Sequence, residues 1–254
     1  MNLLRKLILI LVILVVVAVI VVATLPARFA YRYVSAYLGA VHLDGISGNV
    51  WNGHADALQV FGQNLGAIDW HLDVAPLLGR VVRAHLVLGG GELNATGIVE
   101  RAADASINLR DATLQMPASM LAPALDIPAL NLLGEIDSTI VHARLQGIWL
   151  NQANGSVIWK NAGVAGAAQA QFGDLQATFT STSEDTIAGT VRDLGGPLQV
   201  HGNFKIASGQ FDADATLAAR DGNPQVIDAL RYIGQPQADG SSHLIIHGQL
   251  FKIF

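Results

Sequence analysis

Apolar and polar residues follow two different patterns along the chain. Residues 7–25 read LILILVILVVVAVIVVATL, an apolar run in which Thr24 is the one polar side chain. Beyond Ala40, apolar and polar side chains alternate over short stretches, as they do in β-strands with one buried face. The alternating stretches are 56–61, 67–74, 82–88, 105–110, 177–180, 198–204 and 211–217. The chain is therefore predicted to be mainly β and antiparallel after an N-terminal apolar segment.

The apolar run has the length of a membrane span. Its 19 residues would extend roughly 28 Å as a helix, close to the thickness of the bilayer interior. A cleaved signal peptide has a shorter apolar core, and Pro26 and Arg28 disrupt the cleavage sites that could follow. We predict a retained anchor from Leu7 to Leu25. Residues 1–6 would be a cytoplasmic tail and residues 26–44 a juxtamembrane segment.

The orientation of this anchor is predicted from its flanks. Basic residues lie on both sides of the span, so the charge comparison alone is nearly balanced. The short tail and the acidic body favour a cytoplasmic N-terminus. Four aromatic residues follow the span, either as an interfacial girdle or as the start of a packed helix: Phe29, Tyr31, Tyr33 and Tyr37.

Turn and helix signals divide the body. Asn-Gly and Asp-Gly pairs tolerate the positive φ that hairpin turns need, and they occur at 44–45, 52–53, 154–155, 221–222 and 239–240. Two short helices are predicted, at 117–122 and at 223–234. In the second, Asn223 can cap the helix, Pro224 suits its first position and Gly234 suits the residue after its end.

Several landmarks occur twice, 105 to 108 residues apart. They are Gly48–Trp51 with Gly155–Trp159, Leu65-Gly66 with Phe172-Gly173, Gly90–Gly97 with Gly195–Gly202, and Pro117 with Pro224. We predict two β-meander repeats, 45–149 and 150–254, joined near residues 149–154. The repeats would either stack as a sandwich or join edge to edge into one curved sheet. Small residues at 162–170 suggest close backbone approach.

Composition and charge exclude several classes of protein. The chain is 51% hydrophobic and 14% charged, which rules out a disordered chain. It has no cysteine, which excludes a disulfide scaffold, a zinc finger and a thiol enzyme. Beyond Arg32 there are 11 basic and 20 acidic residues, so phosphate backbones would be repelled and no nucleic-acid partner is expected.

Candidate catalytic and metal-binding residues are few. Asp69, His71 and Asp73 alternate along one predicted strand and share a face, so a fourth ligand from another strand would complete a cation site. We interpret these three residues as a solvated strand face. We interpret the pairs His42/Asp44 and His54/Asp56 and the residues His243 and His247 as exposed polar positions in the same way. The glycines at 89–91 lack the Lys-Ser/Thr and the helix of phosphate loops. We predict no enzymatic activity, no cofactor and no metal.

Trp51 and Trp159 occupy matching places in the two repeats. Each would be a packing anchor of its meander or an exposed aromatic that docks a partner.

The chain resembles the type II secretion system protein N family along nearly its whole length, about residues 5 to 250. The anchor and the order and spacing of short motifs carry the resemblance. These motifs are Gly48-Asn-Val-Trp51-Asn-Gly-His-Ala55, Leu65-Gly66-x-x-x-Trp70, Pro76-Leu-Leu78, Gly155-Ser-Val-Ile-Trp159, Asp193-Leu-Gly-Gly196-x-Leu198 and the run from Pro224 to Gly234.

This resemblance implies an accessory component in the inner membrane of the machine that exports folded proteins from the periplasm across the outer membrane. It implies a periplasmic body, no enzymatic activity, and contacts with the secretin or with inner-membrane platform proteins. The curved β body of the family also looks like that of AsmA-type envelope proteins, which are linked to lipid handling. Two hypotheses follow: a docking body in a secretion assembly, or a groove that binds lipid on an uncovered apolar face.

Overall fold

The computed structural model describes residues 21, 23–121, 130–147 and 149–249. Of the predicted anchor, residues 7–20 and residue 22 lie outside the described part of the chain. Within the described part of the chain, no helix is both long and apolar enough to cross a membrane. The described elements, in chain order, are α1 (Ala27–Val34), β1 (Val41–Asp44), β2 (Ser47–Gly48), β3 (Asn52–Ala55), β4 (Ala57–Val60), β5 (Gln63–Asn64), β6 (Ala67–Asp73), β7 (Val82–Gly89), β8 (Asn94–Arg101), β9 (Ile107–Pro117), β10 (Leu130–Gln146), β11 (Trp149–Gly166), β12 (Ala170–Ser183), β13 (Thr186–Asp193), β14 (Leu198–Ala207), β15 (Gln210–Ala219), α2 (Pro224–Leu230), β16 (Gln235–Pro236) and β17 (Ser242–Gln249).

Most of the strands belong to one antiparallel sheet of 14 strands. Its order is β16-β17-β15-β14-β13-β12-β11-β10-β9-β8-β7-β6-β3-β2. A separate three-stranded sheet has the order β1-β4-β5. Neighbours in the large sheet are also neighbours along the chain almost throughout, which is the meander predicted from the alternating pattern.

The two halves of the chain join edge to edge in this sheet. The joining strands are the longest, and β10 pairs with β11 from Leu130↔Gly166 to Gln146↔Trp149. Equivalent strands keep equivalent registers, since Asn94↔Gln115 in β8–β9 and Leu198↔Ala219 in β14–β15 both join residues 21 apart. Of the two arrangements considered, the sandwich is therefore not the one formed. The boundary between repeats at 149/150 stays a prediction.

Strands occupy all seven stretches in which the side chains alternate. The second predicted helix is α2, capped by the side chain of Asn223 and shorter than expected because it ends at Leu230. The first predicted helix is a 3₁₀ helix at Ala118–Leu121. It begins one residue later than predicted, because Pro117 is the last residue of β9. Residues 149–154, where the two repeats are predicted to join, are the start of β11, and a turn at Gly147 precedes them.

Two of the five predicted turns are wrong, because their residues lie inside strands. Gly53 is in β3 and Gly155 is in β11. A Cβ atom at Gly53 would collide with the ring of Trp70, and one at Gly155 would meet Phe179. These glycines thus admit an aromatic ring from the neighbouring strand, which is a packing role and not a turn role.

Helix α1 places the body next to the predicted anchor. Ala27 is buried against Ile46 and Ala55. The hydroxyl oxygen of Tyr31 accepts a hydrogen bond from the backbone N–H of Leu43 at 3.0 Å. Phe29 and Tyr33, by contrast, are 50% and 66% exposed. Tyr31 is therefore part of the body, while the two other rings face outward on the same helix.

Candidate binding groove

An apolar cavity of about 410 Å³ lies inside the second half of the sheet. The residues that line it come from β10 to β15, from β17 and from the end of α2. They include Trp159, Phe172, Phe204, Phe211, Leu244 and Ile246. Gln176 and Asn203 are the polar residues among those that line it. We call this space the apolar cavity.

The second half of the sheet must curl to form the apolar cavity. Six inter-strand spacings separate β10 from β17, which would be roughly 29 Å in a flat sheet. Yet Ile136 of β10 and Leu244 of β17 line the same cavity. The sheet therefore bends around the cavity, and β17 forms one lip of the resulting groove.

Helix α2 covers part of the groove. Its buried residues are Val226, Ala229 and Leu230, and they belong to the same core cluster as Phe172 and Leu217 of the sheet. The Oδ1 atom of Asn223 accepts hydrogen bonds from the backbone N–H groups of residues 225 and 226, which fixes the start of the helix.

An aspartate holds the loop between β13 and β14 beside this helix. Asp193 accepts hydrogen bonds from the backbone N–H of Gly195 and that of Val200, each at 3.1 Å. Arg220 donates to Asp193 at 2.5 Å and to the carbonyl oxygen of Gly196 at 2.8 Å. Burial acts to raise the pKa of Asp193, but the two backbone N–H groups and Arg220 outweigh it and lower the pKa below its ordinary value.

The same loop crosses another strand closely, and this crossing occurs in both halves. A Cβ atom at Gly173, where φ is +87°, would collide with Gly196. A Cβ atom at Gly66, where φ is +109°, would collide with the backbone of Gly89 and reach Gly91. The two glycine landmarks of the sequence repeat are therefore paired positions where one backbone passes over another.

The two predicted tryptophans have different surroundings. Trp159 lines the apolar cavity, packs against its core cluster, and donates its indole N–H to the carbonyl oxygen of Leu133 at 2.8 Å. Trp51 is half-buried in the turn before β3, where its backbone N–H donates to Asn49 and its carbonyl accepts from Leu72. Docking of a partner by Trp51 or by Trp159 remains a prediction.

Sequence reasoning missed a more exposed tryptophan, Trp149, which is 47% exposed at the start of β11. A Cβ atom at Gly209 would collide with its ring, so the indole lies directly over this glycine. The alternation that identified other strands is weak here, and the only available signal was the aromatic residue next to the repeat junction.

Among the candidate metal ligands of β6, His71 and Asp73 lie together, with His71 Nε2 3.6 Å from Asp73 Oδ1, while Asp69 pairs with a histidine of β3. His54 Nδ1 lies 2.7 Å from Asp69, His71 Nδ1 lies 2.6 Å from Asn52 Oδ1, and His85 Nε2 lies 3.3 Å from Asp73. Across the part of the chain that the structure describes, no group of three or more His, Cys, Asp and Glu side chains could hold a metal ion. Asp69 and His71 are exposed on one face of β6, and Asp73 beside them is half-buried.

Hydrogen bonds on this face change the pKa of one histidine. The hydrogen bond to Asp69 raises the pKa of His54, with further contributions from the charge of Asp69 and from Asp56. The same pairing of histidine with aspartate occurs at the other end of the sheet, between His243 and Asp214 and between His247 and Asp212.

Comparison with known proteins gives one consistent result. The family model described as "Type II secretion system (T2SS), protein N" matches residues 39–244. A protein of Vibrio cholerae serotype O1 named "Type II secretion system protein N" is 26% identical over 236 residues, which are 89% of this chain and 91% of the relative. A protein of Aeromonas hydrophila with the same name is 24% identical over 233 residues, with the same coverage. No solved structure matches the chain.

Proposed function

This chain belongs to the type II secretion system protein N family, and from that premise we propose that it is an inner-membrane accessory component of type II secretion. In this role its β body docks other components in the periplasm and supports the export of folded proteins across the outer membrane. The observation that carries the proposal is the family match over residues 39–244. The body itself would catalyse no reaction.

The proposed topology is a single span, with residues 1–6 in the cytoplasm and the body in the periplasm. Contacts beside the span support a body that begins directly at the membrane surface. The carbonyl oxygen of Leu25 accepts a hydrogen bond from the N–H of Val50 at 3.0 Å, and Pro26 pairs with Asn49. The exposed rings of Phe29 and Tyr33 suit the interface between lipid and water.

The proposed partners are the secretin and the inner-membrane platform proteins. Trp51 is the better of the two predicted docking aromatics, because the indole of Trp159 is committed to the apolar cavity. A Trp51→Ala variant should reduce secretion while the protein stays folded. A Trp159→Ala variant should unfold more easily, since truncating a large core aromatic costs about 3–5 kcal/mol.

The test of this function is deletion of the gene and measurement of one secreted enzyme in the periplasm and in the medium. We expect the enzyme to accumulate in the periplasm and the full chain to restore export. Residues 26–254 behind a cleavable signal peptide keep the packing of Ala27 and Tyr31; they should reach the periplasm but fail to restore export, because they lack the tether. Normal export in the deletion strain would contradict the proposal.

A second candidate function, binding of a lipid acyl chain, is favoured by the apolar cavity. Its volume of about 410 Å³ equals that of roughly 14 water molecules at about 30 Å³ each. Every methylene of an acyl chain that it buries would contribute about 0.8 kcal/mol. The lining residues offer little to hydrogen-bond a polar ligand, so a hydrocarbon suits the cavity better than a polar metabolite.

Two substitutions on one strand separate this second function from the first. Ala177 of β12 lines the apolar cavity, whereas its neighbour Thr178 faces outward and pairs with Thr190. Ala177→Phe should weaken binding of a fluorescent fatty acid to the purified full chain at least tenfold, and Thr178→Phe should leave it unchanged. Equal binding by both variants would exclude the cavity as the site.

A further inference from the structure

One edge of the large sheet lacks a full-length neighbour among the described residues. Strand β17 pairs with β15 along its whole length, from Leu217↔Ser242 to Gln210↔Gln249. On its other side, β16 contributes two residues, opposite Ser242 and His243. From residue 244 to residue 249, no described strand pairs with this outer edge. Backbone groups at such an edge are a ready template for another strand.

The internal repeat identifies what belongs at this edge. Strand β10 is the counterpart of β17, because each follows a short helical segment and pairs antiparallel with the strand before that segment. The other side of β10 is occupied by β11 along nearly all of its length. In the first half of the sheet, then, a strand fills the position that stays open beside β17.

The open edge and the apolar cavity are continuous. Leu244 and Ile246 of β17 line the cavity, and Ile246 is still 42% exposed. An acyl chain would fill the cavity but leave unpaired those N–H and C=O groups of residues 244–249 that point away from β15. A strand beside β17 would pair those groups and also project every second side chain over the cavity.

We propose that residues 244–249 of β17 accept an extended segment of another protein as an added β-strand. The segment carries apolar residues at alternate positions, which cover the apolar cavity. Its other side chains are polar, because they would continue the outer face of β17, where His243 and His247 pair with Asp214 and Asp212 of β15. This inference rests on the proposed docking function and specifies the surface and the kind of partner.

The probe for this edge is a synthetic peptide with the sequence of residues 149–166, the strand that neighbours β10. Hydrogen exchange of the full chain in detergent micelles is followed by mass spectrometry, with and without the peptide. Without the peptide, amides 244–249 should exchange faster than those of β10. With it, their exchange should slow at least tenfold, while that of β7 should not change.

A control peptide with Val157→Asp and Trp159→Asp keeps the backbone but places carboxylates over the apolar cavity, so it should protect residues 244–249 at least tenfold less. Two results would overturn the inference. One is strong protection of 244–249 in the free chain, which would mean that a second copy or the chain itself covers the edge. The other is that a fatty acid displaces the peptide from the cavity while the exchange of amides 244–249 is the same with and without the peptide. The peptide would then bind in the cavity without pairing with β17.

A lysine substitution connects the edge with secretion. Ile246→Lys points a charge into the groove from the edge strand, a device that natural edge strands use to prevent pairing. Val141→Lys is a control on β10, which has a neighbour on both sides; Val141 is 60% exposed at a break in the register with β11 and outside the apolar cavity. Ile246→Lys should abolish protection by the peptide and lower export. Val141→Lys should do neither.

The outcomes distinguish this inference from the proposed function. If deletion of the gene traps cargo but the peptide never protects 244–249, the secretion function stands and the edge site is wrong. If the peptide protects 244–249 but Ile246→Lys exports normally, the edge is not the docking surface for secretion. The exchange of β12–β14 in Ile246→Lys reports whether that variant is folded, and the control peptide tests the same contact without altering the protein.

Discussion

Replacing Asp193 with alanine should destabilise the second half of the sheet. The Asp193 carboxylate connects three segments: the loop after β13, the start of β14 and the segment that leads into α2. It accepts two backbone hydrogen bonds at 3.1 Å and one from Arg220 at 2.5 Å. Its removal leaves the N–H of Val200 and the guanidinium of Arg220 without this acceptor.

The expected loss is about 3 kcal/mol at pH 7. Hydrogen bonds to a charged group contribute about 1.5–3 kcal/mol each, and the two backbone bonds are counted at the lower figure. The ion pair adds little to this sum, because the Arg220 side chain is 35% exposed and solvent screens it. With a urea m-value of about 3 kcal/mol/M, the unfolding midpoint should fall by about 1 M.

The loss should also depend on pH in a definite direction. The pKa of Asp193 is lowered in the folded protein, so its contribution is present above the ordinary aspartate value of about 3.9 and is lost as the pH falls through the folded value. The difference between the unaltered chain and Asp193→Ala should therefore be larger at pH 7 than at pH 3.

The assay is urea unfolding of the full chain in mild detergent, followed by tryptophan fluorescence at both pH values. Asp239→Ala is the matched control, since Ser241 holds that carboxylate in an exposed loop and lowers its pKa without connecting distant segments. The urea midpoint of Asp239→Ala should equal that of the unaltered chain. An Asp193→Ala midpoint equal to that of the unaltered chain at pH 7, or an equal loss at both pH values, would refute the reasoning.

Two further predictions concern the backbone crossing and the outer face. Gly173→Ala should destabilise by more than about 2 kcal/mol, because φ is +87° and the new Cβ atom would collide with Gly196; Gly79→Ala, with open space around it, should change the urea midpoint little. His54→Gln should reduce the drop in melting temperature between pH 6 and pH 8. The raised pKa of His54 makes its pairing with Asp69 stabilising below about pH 6.5, and that stabilisation is lost as the pH rises through the folded value.

The strands were predictable wherever one face of the sheet meets solvent. In β14, for example, Leu198 and Val200 are buried while Gln199 and His201 are exposed, so a period of two is visible in the sequence. Strand β11 was harder to predict, because it is rich in small residues and contains Asn154-Gly155, a pair typical of turns. There the ring of Phe179 packs over Gly155, and packing between strands outweighs the local turn preference.

The apolar cavity was not predictable from the same pattern. A sandwich and an edge-to-edge sheet bury the same alternate residues, so Leu217 and Leu244 would be apolar in either one. Only the pairing of β10 with β11 distinguishes them. That pairing depends on contacts between distant parts of the chain, and the curl it produces determines which apolar side chains enclose space and which fill it.

The two ends of the large sheet are not equivalent, and this difference bears on how the proposed docking would work. At the β2 end, Pro26 pairs with Asn49 and α1 packs against Ile46 and Ala55, so the chain that follows the predicted anchor covers this edge. The β17 end lies twelve inter-strand spacings from β2 in the order of the sheet, although the curl of the second half brings β17 back toward β10. A strand added at residues 244–249 would therefore extend the meander at the end of the sheet opposite the one that the N-terminal segment covers.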